Sequence, residues 1–339
     1  VMDNKVKIVD EQTGRIMEYA TNEWDKLTQV IVGKARGARV PDLDLSMRLV
    51  NYADVPDQST IKTGPYPDIV TQQADEDLET FCDFLRNQDV EVLRPHNQDG
   101  LPVLYYDYCP RDIVFLHGKH AIATPQPIRA RAYNYQAIAH HMPDIVEAPR
   151  YYADDLYNTD CLGDPDTLAL TEVAPAFDAA NCIRANDDIL YLVSNSGNVA
   201  GANWLREHTG LNVHLLEGVY SYMHIDSTVA FLREGLMLLN PTRIKDVSVL
   251  PEPFRSWDYI MCPEPTDIGY YGDYNNASVW INMNMLSISP TLVALEENQH
   301  SLRVELEKHG IDCAMLPTRH QRTLGGGFHC VTADTRRQT

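Results

Sequence analysis

The run Leu324-Gly325-Gly326-Gly327-Phe328-His329-Cys330 sets three consecutive glycines just ahead of a cysteine. Three glycines in a row cost backbone entropy. That cost makes sense where the main chain must come close to a ligand or adopt positive φ, and a turn beside a nucleophile needs both. Cys330 is therefore a candidate thiolate nucleophile. The competing reading is a glycine turn before a buried, inert cysteine. Phosphate binding fits poorly, because the spacing to a following lysine that a P-loop needs is missing.

A second group is Met223-His224-Ile225-Asp226-Ser227-Thr228, with a histidine and an aspartate two apart at the mouth of an apolar segment. Alternation along an extended chain places both on one face, where they can act as acid/base and electrostatic anchor. A metal would require a third ligand, and none lies nearby in sequence. Two more aspartates precede apolar segments: Asp112 in Cys109-Pro110-Arg111-Asp112 and Asp178 in Phe177-Asp178-Ala179-Ala180-Asn181. Taken singly, each reads equally well as a turn former or cap. Glu172 and Asp187 read as solvated or turn residues.

The elements that must position these groups recur along the chain. Asp112 to Thr124 (DIVFLHGKHAIAT), Ser227 to Asn240 (STVAFLREGLMLLN) and Asn282 to Leu295 (NMNMLSISPTLVAL) each read as strand, tight turn, strand, while Asp188 to Val193 and Gln29 to Val32 read as single strands. Amphipathic segments of helical period lie between them, at Gln72 to Asn87, Ala202 to Thr209 and part of Thr291 to His309, the last stopping at Gly310. Alternating strands and helices define an α/β chain. About five similar units suggest a ring, with an open doubly wound sheet second. No linker or composition shift divides residues 1–339, so a single catalytic domain is expected. Pro41 to Pro67, rich in Pro, Asp and Tyr, is a long loop, either a lid or a surface excursion, with the second favoured.

The formal net charge is −20. Such a surface repels a phosphate backbone, which argues against nucleic acid, and concentrates cationic small molecules. Seven cysteines, an odd number without CxxC spacing, argue against a disulfide framework or zinc site and suit a reducing compartment. Val1 to Ile16 lacks an apolar core and no run is long enough to span a membrane, so a cytoplasmic protein is expected. Val1, ahead of Met2, is set aside.

In their order, LGGGFHC, MHIDST, PRD and FDAA resemble the arginine:glycine amidinotransferase family, and the resemblance runs from Asn22-Glu23-Trp24-Asp25 to Cys330. It implies the five-bladed pseudosymmetric α/β propeller of the guanidino-modifying (pentein) superfamily. It also implies that Cys330 is the nucleophile, His224 the acid/base and Asp178 the carboxylate orienting that histidine. Asp112 and Asp226 would grip the substrate guanidinium, and Arg243 its carboxylate. The substrates implied are L-arginine and an amine acceptor, with ornithine released and no metal or organic cofactor; a homodimer is also expected. On the acceptor side, Ser221-Tyr222-Met223 stands before His224 where the glycine-accepting pattern has Asn-Pro-Met, so an amide becomes a smaller hydroxyl, and Asn282 stands where that pattern has serine. The chain resembles most the cyanobacterial toxin-pathway members of the family, of saxitoxin type, whose acceptor is an amine on a polyketide-like intermediate; glycine is the alternative acceptor. Rival readings are an arginine deiminase-type hydrolase, in which water resolves the intermediate, and a noncatalytic binding protein of the same fold.

Overall fold

The computed structural model describes residues 18–96 and 104–338; the N-terminal segment discussed above lies outside them. Five three-stranded sheets follow one plan, an antiparallel hairpin whose second strand also pairs in parallel with a third. Four hairpins are local: Val114–His117 with His120–Ala123, Cys182–Ala185 with Asp188–Leu192, Val229–Arg233 with Leu236–Leu239, and Leu286–Ser289 with Leu292–Glu296. Their third strands are Val146–Glu147, Asn212–Leu216, Asp258–Met261 and Asp312–Leu316. The fifth sheet joins distant segments, Thr332–Gln338 against Lys26–Val32, with Glu91–Leu93 third. The α/β class expected from the sequence is what forms.

Each third strand is reached through helix or helical turns. Asp68–Asn87 begins after Pro67 with Asp68 in its first turn and ends with Arg86 in its last, charges that suit the helix dipole. Its buried stripe, Val70, Ala74, Leu78, Phe81, Cys82 and Leu85, has helical spacing. Val199–Thr209 is capped by Asn198, whose side chain accepts from Gly201 N, and stops at Gly210, whose φ of 75° is left-handed. His300–Lys308 serves the Leu286–Glu296 hairpin. The expected hairpins and helices are therefore present. Asn282 and Met283, read above as the start of a strand, instead lie in a 3₁₀ turn, Val279–Met283, ahead of it.

The buried apolar clusters lie between neighbouring sheets. Val30 packs with Leu286 and Ala294, Ile31 with Val114, Phe115 with Ile189, Leu190 with Phe231, and Leu238 with Val293. Along the middle runs a buried ion network. Arg184 bonds Glu23 through Nε at 2.8 Å and Asp334 through Nη2 at 2.6 Å, while Arg111 and Arg337 bond Asp334, each at 2.6 Å. No helix among the described residues is long and apolar enough to cross a membrane.

Candidate active site

One structural device brings the chemistry-bearing residues together. Immediately before the first strand of each sheet the chain makes a tight turn. Four of these are 3₁₀ turns, at Pro110–Asp112, Ala179–Asn181, Ile225–Ser227 and Val279–Met283. The fifth is closed by Val331 N donating to Gly327 O at 3.0 Å, ahead of Thr332–Gln338. Asp112 ends the first turn, Asp178 and His224 cap the next two, Asp226 lies within the third, and Cys330 lies in the fifth. Similar sheets present similar corners, so residues far apart in sequence meet at one place.

That place is a cavity of about 390 Å³. Cys330, Asp112, His224, Asp226, Arg243, Ser221 and Met223 all line it. Asp178 is fully buried behind His224 and receives its Nε2 at 2.9 Å. Asn282 is held outside the lining: its amide donates to Thr266 O at 2.9 Å and accepts from Gln321. The acceptor-side position expected for Asn282 is thus occupied by scaffold contacts. The loop at residues 41–67 is more than a surface excursion, since Asn51, Tyr52, Asp54 and Val55 form part of the cavity wall.

Electrostatics sorts the groups. Asp112 Oδ2 is held by Arg131 Nη1 at 2.7 Å, while its Oδ1 has no hydrogen-bond partner and sits 3.6 Å from His224 Nδ1. Burial raises the Asp112 pKa, only partly offset by His224 and Arg131. Burial disfavours a charge on His224, but Asp112, Asp178 and Asp226 outweigh it and hold its pKa above the ordinary imidazole value. Asp226 accepts from Cys330 Sγ at 3.2 Å and from His329 Nδ1 at 3.0 Å. Burial pushes its pKa up, but these partners and His224 bring it well below the usual carboxylate range. The Cys330 thiol is driven well above its ordinary value by its hydrogen bond to Cys109, by burial and by Asp226. These surroundings favour the thiol over the thiolate. A cation bound beside Asp226 would reverse this by pairing the carboxylate and favouring the thiolate.

Arg243 is anchored through Nη1 to Ser221 Oγ (3.1 Å), Ser227 Oγ (2.8 Å), Ser227 O (3.1 Å) and Thr228 Oγ1 (2.9 Å). Burial lowers its pKa to about 10, still cationic at neutral pH. Ser221, which also donates to His224 O at 2.8 Å, thus braces both the guanidinium and the histidine turn. The arrangement can bind a planar cation between carboxylates, attack it with sulfur and move a proton through His224. The described residues contain no group of three or more His, Cys, Asp or Glu placed to hold a metal ion.

Sequence reading missed several of the partners. Arg131 lies 3.6 Å from Asp178 as well as on Asp112, with its guanidinium over the Tyr105 ring at 4.5 Å. Asn284 contacts Cys330 Sγ at 3.2 Å. The Arg129-Ala130-Arg131 run downstream of Asp112, and the second asparagine of Asn282-Met283-Asn284, were the available signals.

No family model matches the chain. It is 42% identical over 336 residues to inosamine-phosphate amidinotransferase 1 of Streptomyces glaucescens, covering 93% of this chain and 95% of that protein. It is 31% identical to mitochondrial glycine amidinotransferase of Xenopus tropicalis, covering 99% of this chain and 86% of that protein. Among solved structures it resembles inosamine-phosphate amidinotransferase StrB1 from Streptomyces griseus, with TM-score 0.90 and 40% identity over 96% of this chain and 98% of that one. It also resembles SxtG, an amidinotransferase from Microseira wollei in the saxitoxin biosynthetic pathway, with TM-score 0.85 and 28% identity over 95% and 98%. With its corner residues, its cavity and this degree of likeness taken together, the chain belongs to the amidinotransferase family and is an enzyme of that type.

Proposed function

We propose that the chain takes the amidino group of L-arginine onto Cys330 and passes it to the primary amine of a second substrate, releasing ornithine in between. The observation that carries this reading is the convergence on one cavity of a thiol, a His–Asp pair and two carboxylates that face the thiol and the imidazole. A guanidinium carbon is a poor electrophile. Asp112 and Asp226 would fix its plane and neutralise its charge, and Arg243 would hold the α-carboxylate at the far end.

The steps then balance without water. The Cys330 thiolate forms a bond to the guanidinium carbon, His224 gives its proton to the departing nitrogen, and the C–N bond breaks to release ornithine. An incoming amine loses a proton to His224 and attacks the same carbon, the C–S bond breaks, and the electron pair returns to sulfur. Asp178 holds the imidazole. We read the five sheets as blades of one closed ring and one catalytic domain, supported by the Lys26–Val32 pairing with Thr332–Gln338 and by apolar clusters shared between neighbouring sheets.

For the acceptor we favour an unphosphorylated amine of the saxitoxin-pathway kind. Asp54, Asp112 and Asp226 line the cavity with negative charge, and of its two lining arginines Arg131 is tied to Asp112. The 42% identity to an inosamine-phosphate amidinotransferase favours a second reading, a phosphorylated aminocyclitol, which would have to share Arg243. Intact-protein mass spectrometry with arginine tests the scheme. A gain of one amidino group on Cys330 with ornithine released supports it, and the amine that discharges the adduct identifies the acceptor class. Citrulline and ammonia from arginine alone would make the enzyme a hydrolase instead.

A further inference from the structure

The carboxamide of Asn284 has only one orientation open to it. Its Oδ1 accepts the backbone N–H groups of His329 and Cys330, each at 3.0 Å, so Nδ2 must point the other way. There it donates to Cys330 Sγ at 3.2 Å. Asn284 is buried between the Val279–Met283 turn and the Leu286–Ser289 strand. A Cβ on Gly327 would come within 2.8 Å of its carbonyl oxygen and 2.9 Å of its Cβ, which is why that glycine has no side chain. A second thiol lies beside the turn: a Cβ on Gly326 would lie 2.5 Å from Cys109 Sγ and 3.1 Å from Cys330 Cβ. The triple glycine thus lets one turn close tightly over both neighbours of the nucleophile.

A thiol and a thiolate need different neighbours. The protonated sulfur donates to Asp226, whereas a thiolate only accepts and needs donors facing it. Asn284 supplies a fixed donor.

We infer that Asn284 is a catalytic residue whose Nδ2–H is a preorganised donor that stabilises the Cys330 thiolate and aims it at the guanidinium carbon. The assignment rests on Cys330 being the nucleophile, as proposed above. It also has a kinetic consequence. Sulfur is the nucleophile in the first half-reaction and the leaving group in the second, so the same donor lowers both barriers.

Asn284→Asp keeps the shape and the acceptor for both backbone N–H groups but exchanges the donor to sulfur for a carboxylate, so Asn284→Ala, which removes the donor without adding a charge, must show the same direction of shift. Asn284→Ala is the companion should the aspartate prevent folding, and thermal melting reports that. The titratable groups facing Cys330 are Cys109, Asp226, Asp112 and Tyr108, and all remain in both variants. Cys330 alkylation by iodoacetamide, followed across pH by intact mass, reads the thiolate directly. We expect its profile to move to higher pH by about one unit or more, and ornithine release and discharge of the adduct each to fall on the order of 10²-fold. A folded Asn284 variant with an unmoved alkylation profile, or with only one half-reaction slowed, would overturn the assignment. Failure of the wild-type protein to take an amidino group from arginine would instead count against the nucleophile itself, and alkylation would still report on Asn284.

Discussion

Two buried charge clusters lie close together here and are built on opposite principles. In the central network every carboxylate oxygen of Glu23 and Asp334 has a cationic partner, and the atoms left over are guanidinium nitrogens, Nη2 of Arg111 and of Arg337. In the catalytic cluster carboxylate oxygens are left over as well: Oδ1 of Asp112 and of Asp178 have no partner, beside Nε of Arg131, and Asp112, Asp178 and Asp226 are met by Arg131, His224 and His329. His329 joins the two, bonding Asp226 on one side and Glu23 at 3.3 Å on the other. The lesson is that a saturated cluster holds shape, while an unsaturated one is a binding site for the charge it lacks. A substrate guanidinium has that charge and that geometry.

If this contrast is right, the largest effect should come from breaking the saturated side. Arg184→Met strands two buried carboxylates and should cost about 3–5 kcal/mol of stability, read as a lowered denaturation midpoint. Asp112→Asn should do the reverse, leaving stability equal or higher while cutting ornithine release on the order of 10²- to 10³-fold. Loss of stability comparable to that of Arg184→Met would erase the distinction between the clusters. Arg243→Lys should raise KM for arginine about 10- to 100-fold, the worth of a charge-assisted bond, and change little with agmatine, which has no carboxylate. Equal loss with both donors would place Arg243 elsewhere in the reaction.

The smallest expected effect sharpens the role of Asp178. The raised His224 pKa keeps the imidazolium, the acid needed for ornithine release, present below that value, and it is lost as pH rises through it. Asp178→Asn should therefore shift the alkaline limb of the ornithine-release profile to lower pH, by about one unit. An unshifted limb would show that Asp178 positions the ring without tuning it.

Much of this was readable from the sequence for a physical reason. Hairpins with a buried face carry short apolar runs, and the residues at their heads, Asp112, His224 and Asp226, stand beside those signals. The strand Thr332–Gln338 gave no such signal, because Asp334 and Arg337 point into the ion network and break the apolar pattern. Arg184 interrupts the apolar run of Cys182–Ala185, and Val146–Glu147 is only two residues long. Arg131 and Asn284 were missed on other grounds: their roles depend on where a single guanidinium or amide group points, and residue type alone does not encode that.

The pairing of Thr332–Gln338 with Lys26–Val32 also bears on how activity is gained. It is the longest-range strand contact in the described fold, and the turn carrying Cys330 runs directly into it. Loop closure over such a separation forms late. During refolding from denaturant, secondary structure should return first and alkylation-sensitive, arginine-responsive Cys330 last, so that partly folded chains carry a thiol without carrying an enzyme.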